Sequence, residues 1–281
     1  MGEKDTLYIV NKETIFNIPE EQVPIIILFG PPACGKTMTL SRLCRYLIGI
    51  GYSVKPCTSF RDDEYYHKLC ERFTDSLFDD IAKPGSRIGD SILIEIRDKN
   101  GKLIKYIFDT AGECYFDPRD FYLTTFKPVS FHCILQLFLS PNPKRWCFFV
   151  EPNYRDIQVR EYYVKGLEYI QSHFIIPKKD KSIIIYNKID KTPFLISPTN
   201  VDHGAVCNSI KSQYPGLLNL FQKHSLIYRL LVMPLGIGCI KIISFMTGYF
   251  CSFRDNRGDE YMKYNIGRDC YPKQLWNSID K

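Results

Sequence analysis

The sequence predicts an α/β fold, a mostly parallel sheet wrapped by helices with an antiparallel hairpin at one edge. Three observations carry that prediction. Val23–Phe29 (VPIIILF) is a short apolar run of strand type, followed by a glycine-containing loop and by a helically spaced segment, Thr39–Ile48. Residues 91–109 hold two alternating runs around an Asn-Gly turn signal. A second apolar run, Ser182–Tyr186 (SIIIY), ends in the polar turn Asn187-Lys188-Ile189-Asp190.

Taken in order, residues 7–17 read as a small hairpin ahead of the first core strand. Leu40, Leu43, Tyr46 and Leu47 share one side of a helix over 38–49. Tyr52–Ser59 reads as a strand, and 62–82 as an amphipathic helix with Tyr65, Leu69, Phe73, Leu77 and Ile81 at four-residue spacing. Ser91–Ile96 and Leu103–Phe108 alternate like half-buried strands on either side of Asp98-Lys99-Asn100-Gly101-Lys102. Further helices are expected over 155–174, 202–228 and 272–279, the last opened by Tyr271-Pro272. Ile242–Cys251 is strand-like.

Gly30-Pro31-Pro32-Ala33-Cys34-Gly35-Lys36-Thr37 is a complete phosphate-binding loop in its strand–loop–helix setting. Such a loop wraps backbone N–H groups around phosphates at a helix N-terminus. Proline donates no N–H, so the donors run from Ala33 through Cys34, Gly35, Lys36, Thr37 and Met38, with Gly30 opening the turn. Lys36 supplies a point charge to the β- and γ-phosphates, and the Thr37 hydroxyl can ligate Mg²⁺. The loop indicates a nucleoside triphosphate without saying which.

The base is indicated by Asn187-Lys188-Ile189-Asp190. Guanine presents two donors on one edge, and a carboxylate accepts both. Adenine has no such pair, and a buried carboxylate left unpaired rejects it. Asp190 is therefore the expected specificity residue. Lys188 would lay its stem along the base plane, and Asn187 would tie the turn to the phosphate loop. A polar strand-to-helix turn is the plainer reading of the same residues.

The third element is Asp109-Thr110-Ala111-Gly112-Glu113, at the end of the alternating run 103–108. Phosphate loop, antiparallel hairpin, Asp-x-x-Gly and Asn-Lys-x-Asp, in that order, resemble the Ras-like and translation-factor-clade P-loop GTPases over most of residues 23–190. The resemblance implies a G-domain form of the P-loop NTPase fold binding GTP or GDP with Mg²⁺. It implies that Asp109 holds Mg²⁺ through a water. It also implies that the Gly112 N–H senses the γ-phosphate, so that residues 112–120 form a switch segment. The insertions, at about 52–83 and 116–143, look like those of the bacterial double-GTPase group of that clade.

Three positions depart from the pattern. The switch threonine expected before the hairpin is missing, and Ser86 is the hydroxyl best placed to replace it as a Mg²⁺ ligand; a turn serine after Pro84-Gly85 is the other reading. Glu113 stands where a water-orienting glutamine is usual, which sets a negative charge beside the γ-phosphate. Arg87 and Arg119 are candidates for a compensating cation, or are solvated surface residues. The last base-contact loop is poorly marked, and Ser252, after the strand-like run, is the candidate for the base edge.

At 281 residues the chain can bury a full core, and a single G domain over 1–281 is the simplest organisation. No linker, repeat or low-complexity tract interrupts it. The net charge of +6 is scattered, as in Lys178-Lys179-Asp180-Lys181, so no nucleic-acid or membrane surface is indicated. Eleven cysteines without a Cys-x-x-Cys pair, one of them inside the phosphate loop, point to reduced thiols in a cytoplasmic setting rather than disulfides or zinc. No apolar run reaches membrane-spanning length, and Met1-Gly2 matches the bare myristoylation pattern poorly because charged residues follow. The expected function is a GTP-binding molecular switch with Mg²⁺-dependent hydrolysis, slow without a protein partner, with self-association as one form of partnership. A GTP-binding interaction module with little or no hydrolysis, an ATPase and a kinase are the alternatives.

Overall fold

A computed structural model of the chain describes residues 15–18, 20–78, 90–115, 132–155, 157–176, 179–197, 199–221, 240–246, 248–254, 256–258, 260–265 and 267–280. Its centre is a seven-stranded sheet. Strand β1 (Ile25–Phe29) leads through the phosphate loop into helix α1 (Lys36–Gly49), and β2 (Ser53–Pro56) follows at the sheet edge. Helix α2 (Glu64–Asp75) precedes the hairpin of β3 (Ser91–Arg97) and β4 (Leu103–Thr110). Helix α3 (His132–Leu139), β5 (Lys144–Val150), α4 (Ile157–His173) and β6 (Lys181–Tyr186) come next. A short hairpin of β7 (Leu195–Ser197) and β8 (Asn200–Val201), helices α5 (His203–Gln213) and α6 (Leu217–Leu220), and β9 (Lys241–Ser244) follow. A second hairpin, β10 (Tyr249–Arg254) and β11 (Glu260–Asn265), and α7 (Cys270–Asp280) end the chain.

The strand order is β2-β3-β4-β1-β5-β6-β9. The strands from β4 to β9 run parallel, and β3 is antiparallel to both its neighbours. Parallel strands covered by helices on both faces must be apolar throughout, and every residue of β1 is buried. The chain leaves β1 toward one edge and resumes at β5 on its other side, so the loops after these strands part at the carboxyl end of the sheet. That is where an open α/β sheet binds its ligand.

The sequence places the hairpin correctly and its turn as well. Asp98 closes it, its carboxylate accepting from Asn100 N at 2.9 Å and Lys102 N at 3.0 Å, with Gly101 at φ 81°. The hairpin is not the sheet's outermost element, because β2, from the expected 52–59 strand, pairs outside β3. Helix α1 begins two residues before the expected position, since the left-handed Gly35 (φ 89°) turns the chain straight into it. Helix α2 begins at Glu64, where Asp63 caps it by accepting from Tyr66 N at 2.8 Å. Asp202 caps α5 in the same way, and that helix stops at Gln213, short of the expected 228. The strand expected over 242–251 is two strands, with the left-handed Gly248 (φ 122°) between them; β9 joins the main sheet and β10 does not. Of the hairpin expected over 7–17, residues 7–14 lie outside the described residues, and Phe16 packs on Phe60 at 4.3 Å between ring centroids.

At the amino end of the sheet, Asp180 fixes β5 against β6. Its buried carboxylate accepts from Lys144 N at 2.9 Å, Ile176 N at 3.0 Å and Trp146 Nε1 at 3.5 Å. Replacing Asp180 by Ala strands these donors, and the variant is expected to lose roughly 2–4 kcal/mol of unfolding free energy in urea titration. An unchanged midpoint would show that water takes the carboxylate's place.

Candidate nucleotide-binding site

The phosphate loop is shaped by two left-handed residues, Ala33 (φ 61°) and Gly35 (φ 89°). Gly35 is required twice over. A side chain there would be strained, and its Cβ would lie 2.4 Å from Asn187 Nδ2. Helix α1 then starts with no side-chain cap and no acidic residue in its first turn. The first N–H groups of a helix have no partner within it, so those of α1 are left for an anion. Lys36 lies under the loop and donates to Gly30 O and Pro31 O, each at 3.0 Å. An ammonium has three protons to give, and two are used to hold the loop. The Cys34 thiol is buried in the same turn, and burial pushes it up to about 11, so it is neutral near pH 7.

The Thr37 hydroxyl donates to Asp109 Oδ2 at 2.7 Å, which joins the first turn of α1 to the end of β4. Asp109 Oδ1 is buried and has no hydrogen-bond partner among the described residues. Burial raises Asp109 to about 6, against the opposing pull of Lys36 and the Thr37 hydrogen bond. A deeply buried carboxylate with one open oxygen beside a hydroxyl is a hard, oxygen-only donor pair, which fits Mg²⁺. Three residues further on, Gly112 meets the prolines of the phosphate loop. A Cβ on Gly112 would sit 2.2 Å from Pro32 N and 2.4 Å from Pro31 C. Glu113 follows in a short 3₁₀ turn and is only partly buried.

The Asn187–Asp190 turn lies beside the same loop. Asn187 is fully buried and its Nδ2 donates to Cys34 O at 2.8 Å. Lys188 is left-handed (φ 55°), donates to Ala33 O at 2.9 Å and forms an ion pair with Glu151. Asp190 is half-buried, and burial raises its carboxyl above the usual range. Asn187 Oδ1 and the hydroxyl of the neighbouring strand's Ser244 are buried without partners among the described residues.

The structure therefore gathers Gly30, Ala33, Cys34, Gly35, Lys36, Thr37, Asp109, Gly112, Asn187 and Lys188 by direct contact, with Met38 in the first turn of α1 and Asp190 on the same turn as Lys188. Ser252 stands apart. It lies on β10, and its hydroxyl donates to Glu260 at 2.6 Å. The segment against the Asn187 turn is Ser244–Met246, where Phe245 N donates to Tyr186 O at 2.8 Å and Phe245 O accepts from Ile189 N at 3.2 Å. Ser86, Arg87 and Arg119 lie outside the described residues. Glu151 had no place in the sequence-based site. Its signal was a carboxylate immediately after the continuous apolar run Trp146–Val150, where a buried strand ends.

Sheet order, the loop after β1, the Asp-x-x-Gly turn after β4 and the Asn-Lys-x-Asp turn after β6 define the fold as that of a P-loop GTPase G domain. No family model matches the chain, and no curated protein matches it. Solved structures do. One is a signal recognition particle receptor complex, SRb-GTP/SRX, from Chaetomium thermophilum, at 15% identity and a TM-score of 0.43, covering 85% of this chain and 95% of that one. Another is the GTPase-like domain of S. cerevisiae Ski7 bound to GDP and inorganic phosphate, at 14% identity and 0.42, covering 92% and 50%. A third is a septin GTPase domain from Chlamydomonas reinhardtii, at 14% and 0.38, covering 90% and 91%. At these scores the fold assignment rests on the strand order and loops of this chain.

The burial of the Asp109 carboxylate has a measurable consequence. Its folded value of about 6 exceeds the ordinary 3.8, so between these values the folded protein holds a proton that the unfolded chain has released. Stability of the nucleotide- and metal-free protein is then expected to fall as pH rises through that window. Asp109→Asn removes that share of the slope and stabilises the protein at pH 7 by about 1–3 kcal/mol. Parallel denaturation of both proteins from pH 4 to 7 measures it, and identical pH profiles would contradict it.

Proposed function

We propose that the chain is a GTP-binding molecular switch that hydrolyses GTP with Mg²⁺, slowly in the absence of a partner. The observation that carries this reading is the pair of side-chain ties, Asn187 to Cys34 O and Lys188 to Ala33 O, between the phosphate loop and the Asn-Lys-x-Asp turn. They hold a triphosphate cradle and a guanine-selective carboxylate at one fixed separation.

In this reading the N–H groups from Ala33 to Met38 take the phosphate oxygens, and the third Lys36 proton reaches the β- and γ-phosphates. Thr37 and Asp109 would hold Mg²⁺, which when bound neutralises charge on the β- and γ-phosphate oxygens. The half-buried Asp190 accepts from the two donors of the guanine edge. The Gly112 N–H faces the third phosphate, and its close packing on Pro31 and Pro32 makes the segment that starts there responsive to that phosphate. Glu113 can accept a proton from the attacking water, but its charge opposes approach of the γ-phosphate. An arginine from a partner, or Arg87 or Arg119 of this chain, would offset it.

Glu113 also favours a second reading, a GTP-binding module with little hydrolysis. In either case the ligand is a guanine nucleotide and the readout is a protein partner. No helix among the described residues is long and apolar enough to cross a membrane. A thiol buried inside the phosphate loop supports a reducing, cytoplasmic setting.

Isothermal titration with GTP, GDP and ATP tests the base assignment. Guanine nucleotides are expected to bind and ATP to fail, and Asp190→Asn to shift preference toward xanthosine triphosphate, whose oxygen accepts from an amide. Equal affinity for ATP and GTP would refute it. Single-turnover phosphate release separates the two readings. Glu113→Gln is expected to raise or preserve the slow rate of the isolated protein. Fast wild-type turnover that the substitution abolishes would instead make Glu113 the working base.

A further inference from the structure

We propose that Glu151 is a positioning residue of the guanine site, holding Lys188 against the phosphate loop; this rests on the guanine-nucleotide reading above. Strand β5 lies between β1, which carries the phosphate loop, and β6, which carries the Asn187 turn. Glu151 is the first residue after β5 and so stands between the two loops it would join. Its backbone is held on both polar groups by one buried phenol: Tyr214 Oη donates to Glu151 O at 2.8 Å and accepts from Glu151 N at 3.2 Å. The preceding carbonyl, Val150 O, accepts from Asn187 N at 2.8 Å. The backbone from which the Glu151 side chain extends is thus held by the core.

That side chain is 10% exposed and forms its ion pair with the Lys188 ammonium, which is 26% exposed. Lys188 gives a further proton to Ala33 O at 2.9 Å. Its backbone occupies the left-handed region, which a long side chain adopts only when its surroundings impose it. Lys188 is therefore held at three points: by its strained backbone, by the loop carbonyl and by the Glu151 carboxylate. The pair also resolves an electrostatic difficulty. A carboxylate buried beside a loop that must receive phosphates repels them unless a cation covers it. Breaking such a pair from one side leaves an uncompensated charge, whereas removing both charges does not.

This asymmetry gives the test. Affinity for a fluorescent GDP analogue is measured for the wild type, Glu151→Gln, Lys188→Ala and the double variant, with thermal melting as the control for folding. Glu151→Gln is expected to weaken binding by roughly three- to thirtyfold, as loss of a charge partner for Lys188. Lys188→Ala should cost more, about a hundredfold, because it bares Glu151. The double variant should bind at least about threefold better than Lys188→Ala alone. The ratio of GDP to IDP affinity should fall in Glu151→Gln, because Asp190 shares the turn that Lys188 anchors. If the two single losses simply multiply, or Glu151→Gln binds GDP as the wild type does, Glu151 has no positioning role. If the wild type fails to bind GDP, the guanine reading itself fails. Should Glu151→Gln not fold, Glu151→Met, of similar length and without charge, completes the same cycle.

Discussion

The Asn187 amide on the Cys34 carbonyl is the contact on which the site depends. The two loops it joins leave strands that are not neighbours, because β5 runs between β1 and β6. Adjacent strands lie about 4.8 Å apart, so the loops start roughly 10 Å from each other. Backbone pairing cannot bridge that gap, and side chains must. Asn187 can do so only because residue 35 has no Cβ, since one there would collide with its amide nitrogen. The glycine that gives the phosphate loop its turn is thus also the glycine that lets the base turn approach.

The polar groups around this contact differ from the Asp180 carboxylate in how their oxygens are met. At the amino end of the sheet, both oxygens of Asp180 are saturated by donors. At the carboxyl end, Asp109 Oδ1, Asn187 Oδ1 and Ser244 Oγ are buried without partners among the described residues, and α1 starts without a side-chain cap. Leaving buried polar groups unpaired costs free energy, and such atoms also occur away from this contact, as at Asn142 Oδ1 and Arg145 Nε near the amino end. Those beside the phosphate loop are the ones that a ligand bound there would be placed to satisfy.

Much of this was legible from residues. The phosphate loop, the Asp109 strand end and the Asn187 turn announce themselves because their chemistry demands particular residue types at fixed spacing. The 91–110 hairpin was legible because alternation and an Asn-Gly turn report the same thing. Three features were not. The run 242–251 is mostly apolar and aromatic on both sides of Gly248, so its pattern does not show that the strand breaks there, and Ser252 falls on the far side of that break from the segment touching Asn187. The outer position of β2 depends on pairing with β3, a long-range choice that local pattern does not encode. Glu151 sits in no recognisable motif, and its role follows from β5 lying between two loops, which only topology reveals.

Strand β2 changes what the sheet can do at that margin. It occupies the hydrogen-bonding row of β3 that would otherwise face solvent. It is itself four residues long, carries an exposed Lys55 and ends in Pro56, which has no N–H to offer. Short length, a lysine and a proline are the features that keep a sheet from being lengthened by a passing strand. A strand arriving at that flank finds little ladder to extend. Any contact made at that flank must instead work through side chains, and so leaves the hydrogen-bonded order of the sheet as it is.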